Sequence, residues 1–155
     1  MLRSFLIGLV AGGRAMTPLA ALSEAARRGG LPAGVNGSTW LAHPAVATGS
    51  KVVALGELFA DKLHAAPDRI APAGILARIV TGGVAGSALA PRGRALAGGV
   101  LGAVAAVGAA AAVGAAYLTF GARMRAMRSF GQKSTGLVED ALTVGAAQLI
   151  VRPRR

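Results

Sequence analysis

The chain contains no cysteine. That excludes disulfides, thiolate metal sites and cysteine nucleophiles, and it leaves the redox compartment open. Charge is also scarce. Only 15% of the 155 residues are Asp, Glu, Lys or Arg, against about 25% in an ordinary soluble domain, too little polar surface to cover a water-soluble globule. Acids are the rarest charges, 6 against 17 Lys and Arg, for a net charge of +11. Aromatics are 4%, and nucleic-acid binding would want rings for stacking beside arginines on one face. Here the basic residues sit singly or in short clusters between apolar runs, as membrane flanks do, and no nucleic-acid partner is expected. Nor can a nucleophile elbow, an HExxH, a Walker loop or a strand followed by GxGxxG be read. Neither an enzyme nor a cofactor is expected, a buried-acid intramembrane hydrolase being the remaining enzymatic alternative.

What the chain does have is apolar length and small residues. Hydrophobic residues make up 54%, glycine numbers 23 and the mean hydropathy is +0.57. Small residues fill a water-soluble core poorly, yet they are what membrane helices use to approach each other. The pattern predicts an all-α, single-domain integral membrane bundle of four to five transmembrane helices over residues 1–155, in segments of about 2–27, 40–64, 73–90, 95–122 and 136–151. Segment one is broken near Arg14–Pro18, where Gly12 and Gly13 loosen the helix and Pro18 removes a backbone donor. A secretory signal is its competing reading, since Arg3 and a short apolar run imitate one. Ser38 or Thr39 is placed to cap segment two, and Trp40 to anchor it at an interface. Segment four carries no charge over a length well beyond the ~20 residues that cross hydrocarbon. An alanine-rich buried helix of a soluble protein is its alternative. Gly82 with Gly86, and Gly98 with Gly102, Gly108 and Gly114, provide smooth faces for helix packing and for a homo-oligomer. Arg123, Arg125, Arg128 and Lys133, with Met127 and Phe130 among them, read as a basic connector, either a solvated loop or an interfacial turn touching anionic head groups.

The few ionised side chains then need each other or water, because an isolated ion in hydrocarbon costs several kcal/mol. Glu57, Asp61 and His64 fall at i, i+4 and i+7, on one helix face. A polar cluster is expected, with Arg14 and Thr17 at the break, Glu57 or Asp61 and Lys62 from segment two, Asp68 after it, and Glu139 or Asp140 from segment five. Its plain use is to lock helices in register. Its sharper use is a site for a proton, cation or small solute beside a broken helix. A divalent-metal site from Glu57, Asp61 and His64 has sensible ligands but too few of them. Glu139 and Asp140 have a second reading as first-turn residues complementing a helix dipole. For five crossings the Lys and Arg residues that flank the segments divide evenly between the two sides, so the positive-inside rule assigns no orientation.

Gly13-Arg14 followed by Thr17-Pro18, Glu57 followed by Ala60-Asp61-Lys62 with Pro67-Asp68 and Pro72, and Val138-Glu139-Asp140 together resemble the domain of unknown function 4126 family of small bacterial membrane proteins. The resemblance rests on the order of short motifs along nearly the whole chain. It differs at His64, where family members commonly place a proline soon after Ala-Asp-Lys, and at the short Ser134-Thr135-Gly136 stretch. The resemblance implies a multi-pass protein of the bacterial inner membrane, with the lipid bilayer as partner, and brings no activity with it.

Overall fold

Two short helices that double back on each other organise the molecule. The computed structural model describes residues 1–31, 34–60, 70–91, 93 and 99–152, without the side chains of Ser38, Ala60 and Lys133. Among these residues are six α-helices: α1 (Leu2–Gly13), α2 (Thr17–Arg27), α3 (Pro44–Ala60), α4 (Pro72–Ala88), α5 (Val100–Phe130) and α6 (Gln132–Val151), with one 3-10 turn at Asn36–Ser38.

Segment one is therefore two helices, and the chain reverses between them. Arg14 takes an extended conformation (φ −142°, ψ 116°) after the last turn of α1. Pro18 falls in the first turn of α2, where its missing N–H would have had no helical partner anyway, so it starts a helix and does not kink one. The reversal follows from packing directions. α1 runs parallel to α5, with Gly8 against Gly108 and Gly12 against Ala112, and α4 runs antiparallel to α5, with Gly82 and Gly86 flanking Gly108. α2 lies antiparallel to α3, with Met16 meeting Glu57 and Ser23 meeting Ser50. Leu22 of α2 accordingly returns beside Ile7 and Val10 of α1, in a cluster completed by Leu31, Val35, Leu41, Ala85, Ala88, Ala147 and Val151. α2 ends where Gly29 turns left-handed (φ +64°), and the Gly29 and Gly30 amides donate back to the Ala26 and Ala25 carbonyls. This pairing satisfies the last turn's acceptors.

The expectation of four to five transmembrane helices is overturned. Among the described residues α5 alone, at 31 residues, is long and apolar enough to cross a membrane. α1 and α2 have 12 and 11 residues, and α3 and α4 have 17 each. α6 has the length, at 20 residues, but Glu139 and Asp140 fall in its middle. Boundaries also moved. α3 starts at Pro44, and its Ala45 amide donates to the His43 ring (3.3 Å), so neither Ser38 nor Thr39 is its cap. Arg123 to Phe130 is not a connector but the last two turns of α5, which reverses into α6 at Gly131 (φ +77°).

The small-residue faces are used inside the chain. A Cβ on Gly108 would fall 2.3 Å from the Gly82 carbonyl oxygen, one on Gly8 2.3 Å from the Gly108 oxygen, and one on Gly12 2.4 Å from the Ala112 oxygen. Gly82 and Gly86 are likewise held against α5, whereas Gly102 and Gly114 have open space where a Cβ would be. The latter two pack against nothing inside the chain, and the first set is taken up within it. Gly98 lies outside the described residues.

Candidate functional site

The reversal between α1 and α2 leaves two helix ends inside the molecule. The last carbonyls of α1 lack N–H donors in their own helix, and the amides leading into α2 lack acceptors in theirs. Two other helices supply what is missing. Arg78 of α4, 5% exposed, donates Nε–H to the Gly12 carbonyl (3.0 Å) and Nη1–H to Gly74 of its own helix (2.9 Å). Glu57 of α3 accepts the Ala15 amide (2.9 Å) and the Met16 amide (3.0 Å) on its two carboxylate oxygens. The Arg14 amide itself closes on Val10 (2.9 Å). The turn's three amides are thus all engaged, as buried backbone demands. A cation meets the C-terminal end of α1 and an anion the N-terminal end of α2, the favourable sense for both dipoles.

Arg14 is the largest fully buried side chain, 2% exposed. Its guanidinium donates to the Glu57 carbonyl (3.1 Å) and forms an ion pair with Asp140 of α6. Thr143, one turn further along α6, donates its hydroxyl to the Glu139 carbonyl (2.8 Å) and faces Gly13. Thr17 is buried at the first position of α2. Among the described residues, two basic side chains, Arg14 and Arg78, and two acidic ones, Glu57 and Asp140, serve this turn.

The neighbouring acid goes the other way. Glu139 accepts Arg123 of α5 at 3.3 Å, with the two side chains 15% and 10% exposed. This pair lies in the wall of a groove of about 570 Å³ between the last turns of α5 and the first of α6, lined by Thr119, Ala122, Arg123, Ala126, Phe130, Ser134, Thr135, Val138, Glu139, Leu142 and Thr143. At the opposite end of the molecule Glu24 binds Lys51 and Arg28. The hydrogen bond from Lys51 first, and that from Arg28 second, hold its carboxyl below the ordinary 4.5.

Arg14, Thr17, Glu57 and Asp140 are thus brought to one place. Glu139 is not, because its side chain leaves α6 on the groove side. Neither acid is in the first turn of α6, which begins at Gln132, so a dipole-complementing role does not apply. Asp61, Lys62, His64 and Asp68 lie outside the described residues. Among the described residues no three His, Asp or Glu side chains gather as metal ligands. Arg78 is the member missed from the expected cluster. Its signal was present, since it is the one charge inside an otherwise apolar segment. No family model, curated protein or solved structure matches the chain.

Proposed function

We propose that this chain is a lipid-embedded, non-enzymatic structural protein. α5 crosses the bilayer, and the α1–α2 hairpin enters the same layer and leaves on the side it came from. It is held at its tip by charges from α3, α4 and α6. No further crossing is assigned. The observation that carries the proposal is the inverted placement of side chains. Arg14 is the largest side chain fully inside, with Arg78, Ser23 and Ser50 also buried, while Val52, Val53, Leu55 and Phe59 of α3, Leu76 and Val80 of α4, and Leu118 of α5 face outward. Water selects the reverse arrangement. The apolar window of α5 is only 33% buried, whereas a soluble protein's core helix would be mostly enclosed. Its uncharged part, Val100 to Ala122, is about 35 Å long at ~1.5 Å per residue, enough for a hydrocarbon layer of ~30 Å. Non-helical backbone at that depth is tolerated only where protein satisfies it, and Glu57 and Arg78 do so. The residues behind the family resemblance, Gly13-Arg14, Glu57 and Glu139-Asp140, are largely those of this lock.

A second reading, passage of a proton or small cation, is favoured by one feature: a broken hairpin tip level with carboxylates, the arrangement transporters use. Asp140→Asn separates the two. If the variant loses its fold in detergent, the lock stands; if it folds normally and alters cation or proton flux in liposomes, passage is the function. A protein that stays monomeric and folded in plain buffer would sink both.

A further inference from the structure

The arginines near the end of α5 point two ways. Arg123 turns towards α6, where Glu139 accepts from it (3.3 Å) and where Ala122 and Ala126 line the same groove. Arg125 and Arg128 turn outward. At about 100° per residue, Arg128, Gly121 and Tyr117 fall within ~20° of one line along the helix, Met124 within ~40° and Arg125 within ~60°. The α5 residues that line the groove all lie ~120° or more from that line. Tyr117, Met124, Arg125 and Arg128 are exposed, and a Cβ on Gly121 would meet nothing within 4 Å, so no described side chain covers this face. Below the arginines the helix carries no charge from Ala122 back to Val100. The four acidic side chains that are described are engaged elsewhere: Glu24 with Lys51 and Arg28, Glu57 with the Ala15 and Met16 amides, Glu139 with Arg123, and Asp140 with Arg14. The other two acids, Asp61 and Asp68, lie outside the described residues. Among the described residues Arg125 and Arg128 therefore have no counter-ion.

We propose that the outward face of α5 from Tyr117 to Arg128 binds an anionic phospholipid, its phosphate at Arg125 and Arg128 and an acyl chain along Met124, Gly121 and Tyr117. The inference rests on the reading that α5 crosses lipid. On that reading the two arginines lie at head-group level, just past the uncharged stretch, and the rest of the face runs into the hydrocarbon. Residues three apart on a helix stand about 5–6 Å from each other, close enough for two guanidinium groups to grip one phosphate, each through paired N–H donors. Charge also selects lipid over a second copy of the chain. A two-fold partner inserted in the same direction would set its own Arg125 and Arg128 against these two, and like charges brought together disfavour the pairing. Basic residues at a membrane surface each favour anionic lipid by about fivefold.

The test uses the whole protein in phosphatidylcholine vesicles, with a tryptophan as reporter and acyl-brominated lipid as its quencher. Trp40 is the only tryptophan, so Trp40→Phe with Tyr117→Trp places the reporter on this face, and Trp40→Phe with Val80→Trp places it on an exposed part of α4. At position 117, brominated phosphatidylglycerol should match the quenching of brominated phosphatidylcholine at about one fifth of the mole fraction, and at position 80 the two lipids should be equivalent. Arg125→Gln with Arg128→Gln should bring the ratio at 117 to one with helical content retained, Arg125→Lys with Arg128→Lys should keep most of the preference, and added salt should weaken it. Equal quenching by the two lipids at 117, an equal preference at 80, or quenching at 80 with none at 117, as a second copy over the face would give, would each overturn this proposal and leave the lipid-embedded reading standing. No quenching at either position would overturn both.

Discussion

Glu139 and Asp140 are neighbours on α6, each paired with an arginine, yet they serve two different regions. Asp140 meets Arg14 at the closed hairpin tip, where the arginine is 2% exposed and also bonds the Glu57 carbonyl. Glu139 meets Arg123, 10% exposed, in the wall of an open groove at 3.3 Å. The difference teaches that an ion pair's role is set by what becomes of the survivor when its partner is removed. Arg14 is fully enclosed at the tip, while Arg123 borders an open groove.

The comparison can be broken most forcefully at the tip. Asp140→Ala should cost about 3–5 kcal/mol, the effect of removing one partner of a buried ion pair, read as a loss of thermal stability in detergent. Equal stability of Asp140→Ala and Glu139→Ala would erase the distinction. Next in size is the glycine contact beneath the tip. Gly108→Ala drives a methyl into the Gly82 carbonyl and should cost about 1–3 kcal/mol, whereas Gly114→Ala, with nothing near its Cβ, should be neutral or stabilising by up to ~1 kcal/mol through helix propensity. Chemical denaturation of the two variants side by side checks this. Glu57→Gln keeps one acceptor for the turn but loses the charge at the start of α2, and should cost about 1 kcal/mol. Glu139→Gln, on the open side, should cost less than ~1 kcal/mol.

The smallest effect sharpens the contrast with the surface. Glu24 has its carboxyl held below the ordinary value by Lys51 and Arg28, so its contribution is present above the unfolded value and drains away as pH falls through the lower folded one. Glu24→Gln should therefore reduce the acid-limb pH dependence of stability slightly and change nothing in the slope near neutrality. A larger change near neutral pH would show that the pairing assigned to Glu24 is wrong.

Much of the site was legible before the fold. An apolar chain with few charges obliges those charges to meet, and Arg14, Glu57 and Asp140 could be nominated on that ground alone. Arg78 was equally visible as a lone charge in segment three but was given no partner, because the partners described for it, at Gly12 and Gly74, are main-chain carbonyls, which every residue has. The direction of the chain after Arg14 was not legible, since Gly12-Gly13 and Pro18 fit both a kink and a reversal. Likewise, Gly82, Gly86, Gly102, Gly108 and Gly114 look equivalent in sequence, yet of these five only Gly82, Gly86 and Gly108 pack against another helix inside the chain.

Composition and hydropathy by themselves determined that the chain is helical and made of small residues, and they placed one uncharged stretch long enough to cross lipid, because these depend only on side chains and their order. Tertiary structure alone decided that segment one folds back, that α5 continues through its arginines, and that Glu139 and Asp140 part company. Each of those outcomes turns on a rotation or a direction set by packing against distant residues, and a difference of 100° per residue along α6 is enough to send one acid into the core and the next into a groove.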